Sequence, residues 1–244
     1  MLETVLLDLD NTLLSVDMRA FVPAYLDHFA RVLADFGPPD EIGALIQQAI
    51  GAIRTSEAAT LTNQQRHDRV LLSGLKISAG QLQAASDRFF ERHYPTLRQH
   101  TAPVPDAISL VEHLFEHDYQ VVIATNPFYP RPAIAQRLAW AGLSDFPYAL
   151  VTSMQNMHFC KPAPAYYEEI LEKVAAQPAQ TLMVGDDPAN DIAPSQALGC
   201  KTWWIMEGSD PPEGPDPPSD PIAPDFYGTL SDCYQWFKLD ELAL

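Results

Sequence analysis

The sequence has 244 residues, 47% of them hydrophobic, and its 32 acidic and 15 basic side chains give a formal net charge of −17. That length suits one elaborated domain or two small ones with a sizeable core, and the charge argues against a nucleic-acid or anionic-membrane surface, which needs basic patches. Cys160, Cys200 and Cys233 lie far apart with no CxxC or Cys/His metal spacing, no run approaches a membrane span, and the N-terminus lacks a basic flank, so a reduced, cytoplasmic setting is expected.

Residues 4–9 read as an aliphatic strand suited to burial on both faces, and it runs into Asp8-Leu9-Asp10. From about Val16 to Tyr94 the pattern is helical, with no convincing strand. Phe21, Ala24, Tyr25, Phe29, Val32, Leu33 and Phe36 recur at three- and four-residue spacing until Gly37-Pro38-Pro39 stops the helix. Ile42, Leu45, Ile46, Ala49, Ile50 and Ile53 repeat the pattern, and further helices are expected over Asn63–Leu72 and Ala79–Tyr94.

After Pro103 and Pro105 helices and strands alternate. Helices are expected at Asp106–His117, Pro132–Ala141, Ala163–Ala176 and Asp191–Leu198, and strands at Tyr119–Ala124, Tyr148–Thr152, Thr181–Val184 and Lys201–Met206. Gly208–Asp225, with seven prolines and five acidic residues, reads as a solvated loop. A short edge strand at Phe226–Gly228 and a helix from about Ser231 to Leu242 follow. The alternation implies an α/β fold, a parallel sheet with helices on both faces. Residues 1–14 and 102–244 form that core, and residues 15–101 form a helical insertion.

Ligands of open α/β sheets bind beyond the carboxyl ends of the strands. Four polar clusters occupy such places: Asp8-x-Asp10-x-Thr12, Thr125-Asn126, Lys161 in "HFCKPAP", and "GDDPAND" from Gly185 to Asp191. Taken singly, each has a plainer reading. Asp8 and Asp10 suit a turn and a helix cap, Thr125-Asn126-Pro127 a turn, Asp187 and Asn190 capping, and Lys161 a surface lysine. None of these plainer readings predicts all four clusters at strand ends.

In combination and order the clusters resemble the motifs of the haloacid dehalogenase-like (HAD) hydrolase superfamily. "DLDNTL" looks like its DxDxT motif, "IATN" its threonine motif, "KP" its lysine motif and "GDDPAND" its GDxxxxD motif. The resemblance implies a Rossmann-like core with an inserted all-helical cap domain. It implies Asp8 as nucleophile, forming an aspartyl-phosphate, and Asp10 as general acid/base. It also implies Mg²⁺ held by Asp8, the Asp10 backbone carbonyl and Asp186, with Asp187 or Asp191 in support and Asp191 orienting Lys161. Thr125, Asn126 and Lys161 then hold the phosphate. Families that dehalogenate carbon lack the second aspartate, so Asp10 favours phosphoryl transfer.

The expected activity is therefore hydrolysis of a small phosphate monoester, with a phosphomutase acting on a sugar phosphate as the close alternative. A catalytically silent scaffold on the same fold is a third reading. A receiver-type phospho-switch fits poorly, because its phosphoacceptor lies on a later strand. The expected partner is a small phosphorylated molecule, neither nucleic acid nor membrane, and the sequence gives no oligomeric state. Arg19, Arg54, Asn63, Arg66 and Arg69 are polar candidates on the insertion. His28, His67, His93, His100, His113, His117 and His158 show no metal spacing, and His113 and His117 fall on the exposed side of their helix. Trp203-Trp204 reads as core and edge packing rather than a binding platform.

Overall fold

The computed structural model describes residues 1–55, 58–206 and 223–240. Its centre is a parallel six-stranded sheet in the order β5-β4-β1-β6-β7-β8. The strands are β1 (Thr4–Leu7), β4 (Gln120–Ile123), β5 (Leu150–Val151), β6 (Thr181–Gly185), β7 (Lys201–Ile205) and β8 (Phe226–Gly228). β1 is flanked by β4 and β6, and Leu7 lies level with Ile123 on one side and Val184 on the other. The chain builds outward from β1 in one direction and then returns to build in the other. That reversal leaves a crevice at the carboxyl end of β1, where Asp8 stands.

The aliphatic run of β1 is buried on both faces because helices cover both. Val5 and Leu7 join a cluster with α5 (Ala107–Glu116), α6 (Arg131–Ala141) and α9 (Leu230–Asp240). Leu6 points the other way, with Val122 and Met183, onto Tyr166, Tyr167 and Ile170 of α7 (Pro164–Val174). Beyond β6 a single π-helical turn at Pro188–Ile192 precedes the short α8 (Ala193–Ala197), where the sequence suggests one continuous helix.

Between β1 and β4 lies the insertion: α1 (Met18–Val32), α2 (Pro39–Arg54), α3 (Asn63–Leu75) and α4 (Ala79–Arg92). Local chemistry sets where these helices start. Asp17 caps α1, and capping boxes open α3 (Thr62 with Gln65) and α4 (Ser78 with Gln81). Its apolar residues, Phe21, Phe29, Ile46 and Phe89 among them, belong to the same buried cluster as Val5 and Leu7. The insertion is therefore packed onto the sheet domain rather than tethered to it.

Two short strands are not evident in the sequence. β2 (Leu14–Val16) pairs antiparallel with β3 (Thr101–Pro103), tying the chain's exit to its return. The turn before it is built on Asn11, whose φ of 66° lies in the left-handed region that asparagine tolerates. Its Oδ1 accepts from Val16 N at 2.9 Å.

A second expectation is corrected. His113 is not on a solvated face; it is 9% exposed. The far face of α5 is covered by α9, whose Tyr234 ring lies 5.8 Å from the His113 ring. The acidic, proline-rich stretch expected at Gly208–Asp225 lies, up to residue 222, outside the described residues. Asp225 ends it in an ion pair with Lys201 at 2.7 Å. Among the described residues no helix is long and apolar enough to cross a membrane.

Leu6 packs the central strand against α7 and is fully buried. Leu6→Ala is expected to cost about 2–5 kcal/mol of stability, read as a lower denaturant midpoint at an unchanged slope. A loss under about 0.5 kcal/mol would contradict this packing.

Candidate active site

Parallel pairing brings the sequence clusters to one edge. Asp8 N donates to Val184 O at 2.9 Å, and Ala124 N donates to Leu7 O at 2.7 Å. Asp8 therefore emerges between the ends of β4 and β6, with Thr125 beyond one and Asp186 beyond the other. Lys161 reaches the same point from the loop after β5. Its Nζ donates to Asp8 Oδ1 and to Asp191 Oδ1, each at 2.6 Å. All three side chains are buried, Lys161 to 3% exposure. Charge-assisted hydrogen bonds this short and this dry are among the stronger polar contacts in a protein.

Carboxylate oxygens of Asp8, Asp186 and Asp191 all lie within 4.8 Å of one another. Burial penalises every charge here, and the neighbours decide what each group does. Burial pushes the Asp186 carboxyl up to about 8, reinforced by the charges of Asp8 and Asp191. Burial also raises Asp191, to about 6, against the pull of Lys161. Asp8 is raised for the same reason. Burial opposes the Lys161 cation, yet Asp191 and Asp8 outweigh it and hold the ammonium well above the usual lysine range. Three carboxylates thus share one ammonium, and the cluster is short of positive charge. Hard oxygen donors at this spacing, short of cation, suit a divalent ion such as Mg²⁺.

The remaining predicted residues are placed less uniformly. Thr125 is buried, and its carbonyl accepts from Tyr166 OH at 2.8 Å and Thr152 Oγ1 at 2.6 Å. Asn126 Oδ1 is buried without a hydrogen-bond partner among the described residues, as is Thr12 Oγ1. Asp187 caps the turn that follows it, accepting from Ala189 N and Asn190 N. Asp191 Oδ2 accepts from Asp187 N at 3.1 Å, which leaves its Oδ1 to Lys161. Asp10 stands outside the hydrogen bonds of Lys161: its Oδ2 accepts from Arg137 Nη1 at 2.5 Å.

Several supporting residues escape the sequence reading. Arg137 is the foremost; its place on the Ile134, Leu138, Ala141 face of α6 is the signal that could have found it. Tyr167 OH donates to Asn190 O at 2.7 Å and holds the turn carrying Asp191. Trp204 indole N–H donates to the Asp186 carbonyl at 2.9 Å, so one of the two strand tryptophans belongs to the site's frame. Trp203 packs on Phe226 and Trp236 as expected. A cleft of about 560 Å³, lined by Asn11, Asp17, Asp186 and Trp204, borders the cluster at Asp186.

The insertion docks on the loop that leads to Lys161. The first amides of α3 have no intrahelical acceptors. Asn63 N donates to Met157 O and Gln64 N to Met154 O. Asn63 Nδ2 adds a bond to Phe159 O, and Arg66 one to His158 O. Arg54 stands over the Phe128 ring, while Arg19 and Arg69 are exposed. A cavity of about 240 Å³ lies between the insertion and residues 130–155, with Asp68 and Asp87 but no Lys or Arg among its described lining.

An acidic centre with one lysine at the switch point of a parallel sheet is where α/β enzymes bind their ligands. The chain belongs to the haloacid dehalogenase-like hydrolase family, whose model matches residues 2–199. Among curated relatives it is 26% identical over 169 residues to the phosphoglycolate phosphatase of Pectobacterium atrosepticum, covering 68% of this chain and 70% of that one. It is also 26% identical over 216 residues to the pyrimidine 5'-nucleotidase PynA of Streptococcus pneumoniae, 82% of each chain. Among solved structures, 2-haloacid dehalogenase from Pseudomonas syringae superposes with a TM-score of 0.64 at 21% identity, over 99% of this chain and 100% of that one. The magnesium-bound HAD-hydrolase YfnB of Bacillus subtilis gives 0.54 at 21% identity, over 97% and 98%.

Gly185 is where this site admits no side chain. A Cβ there would fall 2.7 Å from Asp191 Cβ and closer still to its carboxyl carbon and Oδ2. Gly185→Ala is expected to displace Asp191, loosen Lys161 and lower hydrolytic turnover by about 10²-fold with an unchanged far-UV circular dichroism spectrum. Turnover equal to the parent's would show that Asp191 does not govern Lys161.

Proposed function

We propose that this protein is a phosphatase that hydrolyses a small phosphate monoester through an aspartyl-phosphate on Asp8. The observation that carries the reading is Lys161, bonded at 2.6 Å to both Asp8 and Asp191. A phosphate ester is anionic and repels a carboxylate nucleophile, so attack needs cations fixed beside it. Lys161 supplies one. Mg²⁺ held by Asp8, the Asp10 backbone carbonyl and Asp186 would supply the rest by neutralising charge on the transferring group, and the closeness of the Asp8 and Asp186 carboxylates supports those two donors.

Asp8 attacks phosphorus while Asp10 protonates the leaving oxygen; Asp10 then takes a proton from the water that hydrolyses the aspartyl-phosphate. Thr125 and the Asn126 backbone N–H hold phosphate oxygens. Asp191 keeps Lys161 on Asp8, and Asp187 keeps the turn in place. The insertion, residues 15–101, serves as the cap on a core of residues 1–14 and 102–244. Its α3 holds the Lys161 loop and excludes water.

Phosphatases for phosphoglycolate, pyrophosphate and pyrimidine nucleotides among the relatives support phosphate ester hydrolysis over dehalogenation. So does Asp10, which carbon–halogen cleavage would leave idle. A phosphomutase would use the same intermediate, and product analysis separates the two: inorganic phosphate or an isomerised sugar phosphate.

The test is a panel of phosphorylated metabolites, including 2-phosphoglycolate, pyrophosphate and pyrimidine nucleoside monophosphates, with and without Mg²⁺. Mg²⁺-dependent phosphate release is expected, and Asp8→Asn is expected to lower it by about 10³-fold or more with the fold intact. No turnover of any compound, or an Asp8→Asn variant of near-parent activity, would overturn the reading.

A further inference from the structure

Among the described residues, a buried arginine lies outside the lysine cluster. Arg137 of α6 is fully buried, and its Nη1 donates to Asp10 Oδ2 at 2.5 Å. Its guanidinium carbon lies 3.9 Å from the Tyr129 ring centroid and 4.7 Å from that of Phe21. Planar stacking of this kind fixes the plane of a guanidinium, which a lysine ammonium cannot match. Tyr129 comes from the core loop after β4, and Phe21 from α1 of the insertion. Tyr129 is backed in turn by Tyr25, 5.2 Å away and also on α1.

The second oxygen of Asp10 completes the picture. Oδ1 is buried and has no hydrogen-bond partner among the described residues. A buried carboxylate oxygen left unpaired is unfavourable, and native sites keep such atoms where a ligand or water engages them in use. A residue needed only to fill space between Phe21 and Tyr129 would be apolar, because a buried charge requires a partner.

We propose that Arg137 is a positioning residue for Asp10. It fixes Oδ2, so that Oδ1 is the atom that delivers and receives the proton. The inference rests on the reading of Asp10 as acid/base. In the first half, the Asp8–phosphorus bond forms, the phosphorus–ester oxygen bond breaks, and the proton on Asp10 Oδ1 passes to that oxygen. In the second, Oδ1 takes a proton from the water that attacks phosphorus, Asp8 leaves, and Asp10 is protonated again. Because Phe21 belongs to the insertion, seating of the cap and aim of the acid are one arrangement.

The experiment compares kcat/KM for p-nitrophenyl phosphate and phenyl phosphate, which are similar in shape but differ in how much the leaving oxygen needs a proton. This ratio reports the first half-reaction alone. Arg137→Met is expected to lower kcat/KM on phenyl phosphate about 10–100-fold more than on p-nitrophenyl phosphate, part of the 10²–10⁴ that general acid catalysis supplies. Arg137→Lys should show the same selectivity in smaller measure, and it stands in if Arg137→Met does not fold. In an Asp10→Asn background, Arg137→Met should add less than about a twofold further loss, since the two act as one unit. An equal fall on both probes, a rise in kcat/KM, or a full additive loss beside Asp10→Asn would overturn the proposal. Asp10→Asn alone separates the two readings. If it shows no selective loss on phenyl phosphate, the acid/base reading itself fails. If it does and the Arg137 variants do not, only the positioning role fails.

Discussion

A lysine ammonium out of reach of water needs anionic partners, and the site is built around meeting that need. Lys161 finds Asp8 at one side and Asp191 at the other, both at 2.6 Å. Holding them there constrains three separate parts of the chain. Asp8 must end β1, Asp191 must sit in the turn after β6, and the loop after β5 must return to the sheet edge. The strand order, with β1 between β4 and β6, brings all three together. Gly185 follows from the same requirement, since the Asp191 carboxyl occupies the space of any side chain there.

The insertion is coupled to this centre at two points. The free amides at the start of α3 bond to carbonyls of the loop carrying Lys161. Phe21 of α1 lies against Arg137, which in turn holds Asp10. The β2–β3 ribbon ties the chain's departure to its return, so both contacts depend on one structural seam. One point touches the loop of the lysine beside the proposed nucleophile, the other the proposed acid/base. The placement of the helical layer therefore bears on both steps of the proposed chemistry.

The sheet and the clusters at its edge were legible because they are local. An aliphatic run buried on both faces announces a strand, and the polar residues after it announce the strand's end. Asp8, Thr125, Lys161 and Asp186 could each be placed that way, and their order carried the family. What was missed depends on contacts between distant segments. The three-residue strands β2 and β3 have no periodicity and exist through each other. His113 is buried because α9, encoded far along the chain, covers its face of α5. Arg137 belongs to a residue type usually found at the surface, and its burial is supported by residues distant in sequence, Asp10, Phe21 and Tyr129.

The central claim is that Asp8, with its charge balanced by Lys161, becomes covalently phosphorylated. The direct measurement is an acid quench of the enzyme during turnover of its best panel substrate, followed by mass spectrometry of the peptides. The account predicts one added phosphoryl group on the peptide containing Asp8, lost on treatment with hydroxylamine and absent from Asp8→Asn. Phosphate release at the parent rate with no phosphorylated peptide in rapid-quench samples, or a phosphoryl group on another residue, would contradict it.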